Sequence, residues 1–524
     1  MSGQATPLFS IVTPVYNVPV DVFRDTVDSV LAQRFGDWEW ILVDDRSPDE
    51  RVVPELKAQA ARDPRIRLVL REQNGGIVAA SNDGVAAATA PFIALLDHDD
   101  LLTPNALAEM ARAIRAHPDD IDYLYSDEDK MLPGGRLAHR FTKADWSPER
   151  LRHGMYTCHF SVLRTDLVRE VGGFRPGYDG SQDHDLVLRV TERARRIHHI
   201  PQVLYHWRMI PGSAAGDEDA KPYAVTAGMR AVQDQLDRLG IPGTVSRQVD
   251  IGHYRVEREP DLTTPTSIII PTRGTSGRVW GSTRNFLVEA VRSVRENTRH
   301  EALEFVIVYD TDTPPEVLAE LQAVPDVNLV LVHFAEPFNF SAKCNVGALH
   351  ASGEVLLFLN DDVQAESDET IGHLIAPLRE EGVGLTGPKL LFENGRIQHA
   401  GVAYGDGDIS HMHYKVLDEG THDPELRINR EVTAVTGACV AIRSELFHEI
   451  GGFSEILPMN FNDIDFSLKV ARTGRRIVWL ADVVLWHFES ITRVPHVHPW
   501  ERDIMYKRWG NFRKKRDRYR SRLA

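Results

Sequence analysis

Asp97-His98-Asp99-Asp100 stands directly after an apolar run, residues 92–96, that has no reason of its own to end in four polar residues. Carboxylates at i and i+2 in an extended turn can face one ligand, and hard oxygen donors suit Mg2+ or Mn2+. Aspartate is equally at home in a solvated loop or at the N-cap of a following helix, so spacing alone leaves both readings open. A second set, Asn360-Asp361-Asp362, ends another apolar run and favours the metal. Asp183 and Asp463 each lie shortly after a Gly-Gly-Phe and head an amphipathic helix. A carboxylate there is either a cap favoured by the helix dipole or a general base beside a substrate hydroxyl. His206 and His487 follow 23 and 24 residues later, each closing an apolar strand. Two histidines at matching places, each downstream of an acidic pair, fit a third metal ligand.

These residues need elements to position them. The first informative stretch, residues 9–17, is β-rich and ends in turn residues. Residues 21–34 read as a helix, with Val22, Phe23, Val27, Val30 and Leu31 at helical spacing. Strand 40–45 ends on two carboxylates; a helix (55–62), a strand (66–70), a helix (77–88) and a strand (92–96) follow. Strands that are apolar throughout and alternate with helices predict an α/β fold whose parallel sheet is covered on both faces. Ligands in such sheets bind beyond the carboxyl ends of the strands, which is where the carboxylates lie.

The second half repeats the first. Residues 162–174 and 441–453 share six of thirteen identities, including Gly-Gly-Phe. Asn82-Asp-Gly84 matches Asn345-Val-Gly347, Gln182-Asp183 matches Asn462-Asp463, and Pro14 matches Pro271. The chain therefore reads as a tandem duplication with its boundary in the polar, proline-bearing stretch 258–265. The expected parts are 1–258, 259–500 and a basic tail, 501–524.

Composition limits the function. Across 524 residues, 60 Lys and Arg face 76 Asp and Glu, a net charge of −16. That balance argues against a general nucleic-acid binder, and an acidic protein holding a phosphate ligand needs a metal or local cations. The three cysteines (Cys158, Cys344, Cys439) exclude a disulfide framework and point to a reducing compartment. No apolar run is long enough to span a membrane, and residues 1–7 carry no secretory signal pattern. A cytoplasmic location is expected. The tail interleaves Trp509, Phe512 and Tyr519 with many cations; it either lies on an anionic leaflet at the inner face of the plasma membrane or packs its aromatics on the protein.

At these motifs the chain resembles the family-2 glycosyltransferases of the GT-A fold, nearly throughout and twice. The matching residues are Thr13-Pro-Val-Tyr-Asn17, Val43-Asp-Asp-Arg-Ser-Pro48, Asn74-Gly-Gly76, the Asp97-His-Asp99 "DXD" element, Gln182-Asp183 and Tyr205-His-Trp-Arg208. In the second half, residues 358–363, Gln398-His-Ala-Gly401, residues 434–439 and Asn462-Asp-Ile-Asp465 look like the rhamnosyltransferase and O-antigen branch. The resemblance implies two Rossmann-like GT-A units that bind a UDP-, dTDP- or GDP-sugar. Pro14, Tyr16 and Asp45 would contact base and ribose, with Pro271 and Asp310 at the corresponding places. Asp97 would lie near ribose and sugar, and Asp99 and His206 on Mn2+ or Mg2+. Asp183 would deprotonate the acceptor hydroxyl for inverting transfer to a growing, lipid-linked bacterial glycan. In the second half Arg273 and Gly274 replace Tyr16 and Asn17, and Asn360 replaces Asp97. Asp362 and His487 remain as metal ligands with Asp361 adjacent, and Asp463 as base. Two readings follow: a bifunctional transferase with one linkage per unit, or one catalytic unit beside a carbohydrate-binding module. A dinucleotide-dependent oxidoreductase is excluded, since no Gly-x-Gly-x-x-Gly follows the first strand.

Overall fold

In the computed structural model, residues 6–209, 222–248, 253–405, 408–419, 423–488, 497–511 and 514–523 are described. Phe512 of the tail and the first five residues of the N-terminal stretch lie outside them. The first sheet comprises β1 (Phe9–Val15), β2 (Trp38–Asp44), β3 (Ile66–Leu70), β4 (Phe92–Leu95), β5 (Leu101–Leu102), β6 (Ile121–Met131), β7 (Leu137–Thr142), β8 (Ser161–Arg164) and β9 (Arg196–Arg208). The hairpin β10 (Gly243–Gln248) and β11 (His253–Arg258) leads to the second half. There β12 (Thr266–Thr272), the hairpin β13 (Ser276–Val279) and β14 (Ser282–Asn285), β15 (Leu303–Asp310), β16 (Leu329–Phe334), β17 (Val355–Leu359), β18 (Val363–Ala365) and β19 (Val383–Leu391) follow. The remainder are β20 (Ile397–His399), β21 (Val402–Gly405), β22 (Asp408–His411), β23 (Arg430–Glu431), β24 (Cys439–Arg443), β25 (Arg476–His487) and β26 (Arg522–Leu523).

The duplication is topological as well as sequential. The first sheet runs β3-β2-β1-β4-β8-β6 and the second β16-β15-β12-β17-β24-β19, the same order. The first four strands of each are parallel, as the alternation of strands and helices predicts. Antiparallel strands β8 and β24 extend each sheet. The last long strands, β9 and β25, lie parallel to β6 and β19. Each sheet has apolar clusters on both faces, and β2 is buried along its whole length. This accounts for a strand that is nearly all apolar rather than alternating. The predicted elements fall where expected, with helices Val20–Leu31, Val52–Arg62 and Gly76–Ala87 between the strands.

The repeated motifs outside the carboxylates are structural clamps. Asn82 Nδ2 donates to Phe174 O (2.8 Å) and its Oδ1 accepts from Phe174 N (2.9 Å). Asn345 makes the same pair with Phe453, at 3.0 and 2.9 Å. Gly173 and Gly452 have φ of +66° and +58°, and a Cβ on either would stand 2.5 or 2.6 Å from the asparagine oxygen. The Gly-Gly-Phe repeat thus allows a left-handed turn to press against the asparagine. This fixes the loop that carries Asp183 or Asp463.

Candidate active sites

Both candidate sites lie at the carboxyl ends of the parallel strands. In the first, Asp45 is buried at the end of β2 and its oxygens are already engaged. They accept from Gly75 N (2.9 Å) and Gly76 N (2.8 Å) and pair with Arg71, while Asn74 Nδ2 reaches its carbonyl. Asp45 therefore anchors the Asn-Gly-Gly turn. Tyr16 is exposed beside it, and half-buried Pro14 accepts from His98 Nδ1 through its carbonyl (3.1 Å).

The carboxylates after β4 crowd one another. Asp97 is exposed. Desolvation raises its pKa, His159 opposes and Asp99 adds. Asp100 is buried, accepting from Tyr205 Oη (2.6 Å) and Arg208 N (2.7 Å), and its pKa is raised well above normal by burial and by Asp97. Asp183, in the first turn of helix Gln182–Thr191, is pushed up to about 7, chiefly by burial and then by Asp97, with His159 and Gln182 opposing. Asp183, Asp97 and His159 therefore lie within electrostatic reach of one another. His206 Nδ1 meets Asp129 Oδ1 at 2.5 Å.

The second site is assembled differently. His487 Nε2 lies 3.1 Å from Asp362 Oδ1 and 3.4 Å from Asn360 Nδ2, and its Nδ1 meets Gln398 Oε1 at 2.5 Å. Asp361 accepts from Thr272 Oγ1 (2.6 Å) and is raised to about 7 by burial and by Asp362. Asp310 is buried and pairs with Lys343 Nζ (2.7 Å), which also donates to Thr272 O (2.7 Å). Arg273, exposed at the place of Tyr16, lies 3.6 Å from Asp310 and 3.4 Å from Asp312; Pro271 is buried. Asp463 accepts from Gly437 N (3.1 Å) and Ile464 N (2.8 Å). It follows Phe461, whose φ of +60° is a strained left-handed conformation.

The profile described as Glycosyl transferase family 2 matches residues 10–172 and again 267–451. The chain belongs to this family. The uncharacterized protein y4gI of Sinorhizobium fredii is 38% identical over 527 residues, spanning 97% of this chain and 56% of its own length. O-antigen biosynthesis protein RfbC of Myxococcus xanthus is 36% identical over 510 residues, spanning 96% of this chain and 39% of its own. The chain thus spans about half the length of these curated relatives or less. Among solved structures, S. aureus TarS 1-349 is 20% identical, with a TM-score of 0.35 over 44% of this chain and 65% of that one.

Among the described residues, no three His, Cys, Asp or Glu side chains converge as a metal cage. Mg2+-type ions, however, often take only one or two carboxylates and complete their shell with water and phosphate oxygens. In the first site Asp99 raises the Asp97 pKa, and in the second Asp362 Oδ1 lies 3.1 Å from His487 Nε2.

Sequence reasoning overlooked Asp127-Glu128-Asp129, three consecutive acids on β6. Asp127 meets His199, Glu128 meets His159 and Lys143, and Asp129 meets His206. The available signal was three acids in a row after the apolar residues of a buried strand.

Proposed function

We propose that the chain is a metal-dependent, inverting glycosyltransferase with two active units, 1–258 and 259–500, and a basic tail, 501–524. Each unit would transfer a sugar from a nucleotide-sugar donor to a growing bacterial surface glycan of O-antigen or capsule type. The observation that carries this reading is Asp183, a half-buried carboxylate at a helix N-terminus within electrostatic reach of Asp97, with a pKa near neutrality. A base poised near the working pH suits removal of a proton from a hydroxyl nucleophile. Attack from the face opposite the nucleoside diphosphate inverts the anomeric carbon, and one base suffices. Membership in family 2 and similarity to an O-antigen biosynthesis protein support the substrate class.

In the first unit Asp183 takes the acceptor proton, Asp97 orients the donor, and Tyr16 and Pro14 flank the base. In the second, Asp463 takes the proton, Asp361, adjacent to the Asn360 that replaces Asp97, contacts the donor, and Arg273 stands at the place of Tyr16, with Asp310 and Pro271 also at the donor. Asp99 with His206, and Asp362 with His487, would hold Mn2+ or Mg2+, which offsets charge on the leaving diphosphate. The acceptor is read as a lipid-linked glycan and the location as the cytoplasmic side of the membrane. No helix among the described residues is long and apolar enough to cross a membrane.

A second reading has one specific observation in its favour. Asp463 already accepts from two backbone amides, as a structural cap would, so the second unit would be a carbohydrate-binding module. Asp183→Asn and Asp463→Asn, made singly and assayed for transfer from labelled nucleotide sugars with Mn2+, separate the two. Two active units lose one linkage with each variant. A binding module leaves transfer intact when Asp463 is changed, and persistence of both linkages in both variants would refute the assignment of the bases.

A further inference from the structure

The basic tail is built into the first half. β26 pairs antiparallel with the β7 edge, Arg522 opposite Thr142 and Leu523 opposite Phe141. Asp517, buried, anchors the same segment to the second half, accepting from Tyr404 N and Thr433 Oγ1, both at 2.8 Å. On either side of Asp517 an arginine reaches one carboxylate. Arg516 Nη2 lies 3.2 Å from Asp145 Oδ1 and Arg518 Nε lies 3.3 Å from Asp145 Oδ2, and Asp145 N donates to Arg518 O.

Asp145 begins a continuous polar chain into the first site. His199 Nδ1 is 3.0 Å from Asp145 Oδ1, and its Nε2 is 2.8 Å from Asp127 Oδ1. The same Asp127 oxygen accepts from Lys143 N (2.9 Å), while the other, buried, has no hydrogen-bond partner. Lys143 Nζ is 3.1 Å from Glu128 Oε2, which also accepts from His159 N and lies 3.1 Å from His159 Nδ1. His159 stacks on Tyr205, whose hydroxyl holds Asp100. The next β6 residue, Asp129, holds His206. Asp127 is thus reached by His199, which in turn lies 3.0 Å from Asp145 and 3.2 Å from Arg516 Nη2 of the tail. The second half has Lys389-Leu390-Leu391 at the corresponding places on β19, where Lys389 Nζ pairs with Asp418 at 3.0 Å.

We infer that Arg516 and Arg518 are positioning residues of the first site, contributed by the far end of the chain. They fix Asp145 and His199, and thereby hold Asp127-Glu128-Asp129 so that His159 and His206 face the Asp97–Asp183 pair. The inference rests on the proposed reading of that pair as a transfer site. It also gives these two cations a role other than contact with lipid.

The test uses the full chain in two backgrounds: Asp463→Asn, which leaves the first site working, and Asp183→Asn, which leaves the second. Into each go Arg516→Ala with Arg518→Ala, and separately Arg516→Lys with Arg518→Lys. Breaking charge-supported hydrogen bonds of this kind lowers first-site kcat by roughly tenfold, with donor KM unchanged. The lysine pair restores most of it, and the second site is unaffected. In parallel, hydrogen exchange at the Lys143 and His159 amides, which donate to Asp127 and Glu128, quickens by roughly tenfold, while the Gly437 and Phe453 amides hold. Equal loss at both sites, or unchanged exchange at Lys143 and His159, overturns the inference. If neither background transfers sugar, the functional reading has failed, and amide exchange alone decides the link from tail to site.

Discussion

Asp183 and Asp463 occupy matching places but are held differently, and the difference can be measured. The pKa of Asp183 is raised to about 7, so as a base it is competent only once deprotonated. First-site transfer is expected to climb as pH rises through about 7, and Asp183→Asn is expected to lose roughly a hundredfold or more in kcat. The same shift has a stability consequence of opposite sign. The native carboxyl keeps its proton between about pH 4, where the unfolded chain releases it, and about 7. Stability therefore falls as pH rises across that window. Asp183→Asn should raise Tm at pH 8 relative to the parent and change it little at pH 4; an equal change at both would mean that its carboxyl is not perturbed. Removal of divalent cations by chelation should abolish transfer and Mn2+ restore it, with Asp362→Ala weakening Mn2+ binding in calorimetry specifically at the second site.

At the scale of elements, both halves use one device to aim the helix that carries the base. Helix Gly76–Ala87 crosses β1 so closely that a Cβ on Gly84 would stand 2.4 Å from Val12 Cγ1; at Gly347 the corresponding distance to Ile269 Cγ2 is also 2.4 Å. Gly84→Ala and Gly347→Ala should each cost about 1–3 kcal/mol by overpacking, read from urea denaturation. Asn82→Ala removes both bonds to Phe174 and should cost about 1–3 kcal/mol. It should also lower first-site kcat, because the freed loop carries Asp183. Loss of stability without loss of activity would separate the clamp from the site.

At the scale of the molecule, the halves meet at a buried ion cluster. Glu149 is fully buried and accepts from Arg152 Nη1 (2.8 Å) and Arg258 Nη2 (2.7 Å), with Arg476 Nη1 at 3.4 Å. Glu380 joins Arg152, Arg258 and Arg476, and Glu431 pairs with Arg476 at 2.8 Å and accepts from Ser147. Burial works to raise the Glu149 pKa, but the three guanidiniums outweigh it and hold the carboxylate well below its usual range. Its stabilisation is complete above the ordinary Glu pKa and drains away as pH falls below that toward the depressed native value. Acid should therefore loosen this interface. Glu149→Ala, which leaves three clustered arginines with Glu380 as their remaining common partner, should cost about 3–5 kcal/mol and split one calorimetric transition into two. A single transition with unchanged Tm would show that the halves are held by other contacts.

The sequence by itself determined the duplication, the strand-helix order of each half and the residue types at the ends of the strands. Those depend on local pattern: apolar strands, helical spacing, and turn residues repeated at matching offsets. It also marked Asp97, Asp183, Asp361 and Asp463 as chemistry-bearing, because carboxylates recur at matching places in the two repeats. Only the tertiary structure decided how each is supported. His206 and His487 look equivalent in sequence, yet one meets Asp129 and the other Asp362, because their partners come from strands distant in the chain. Asp45 and Asp310 match as well, but Arg71 compensates one and Lys343 the other, from different positions. The basic tail, equally consistent in sequence with a membrane surface, sends Arg516 and Arg518 to Asp145 some 370 residues earlier. Long-range pairing of charge has no periodicity for a sequence to display; burial selects it only once the sheets have formed.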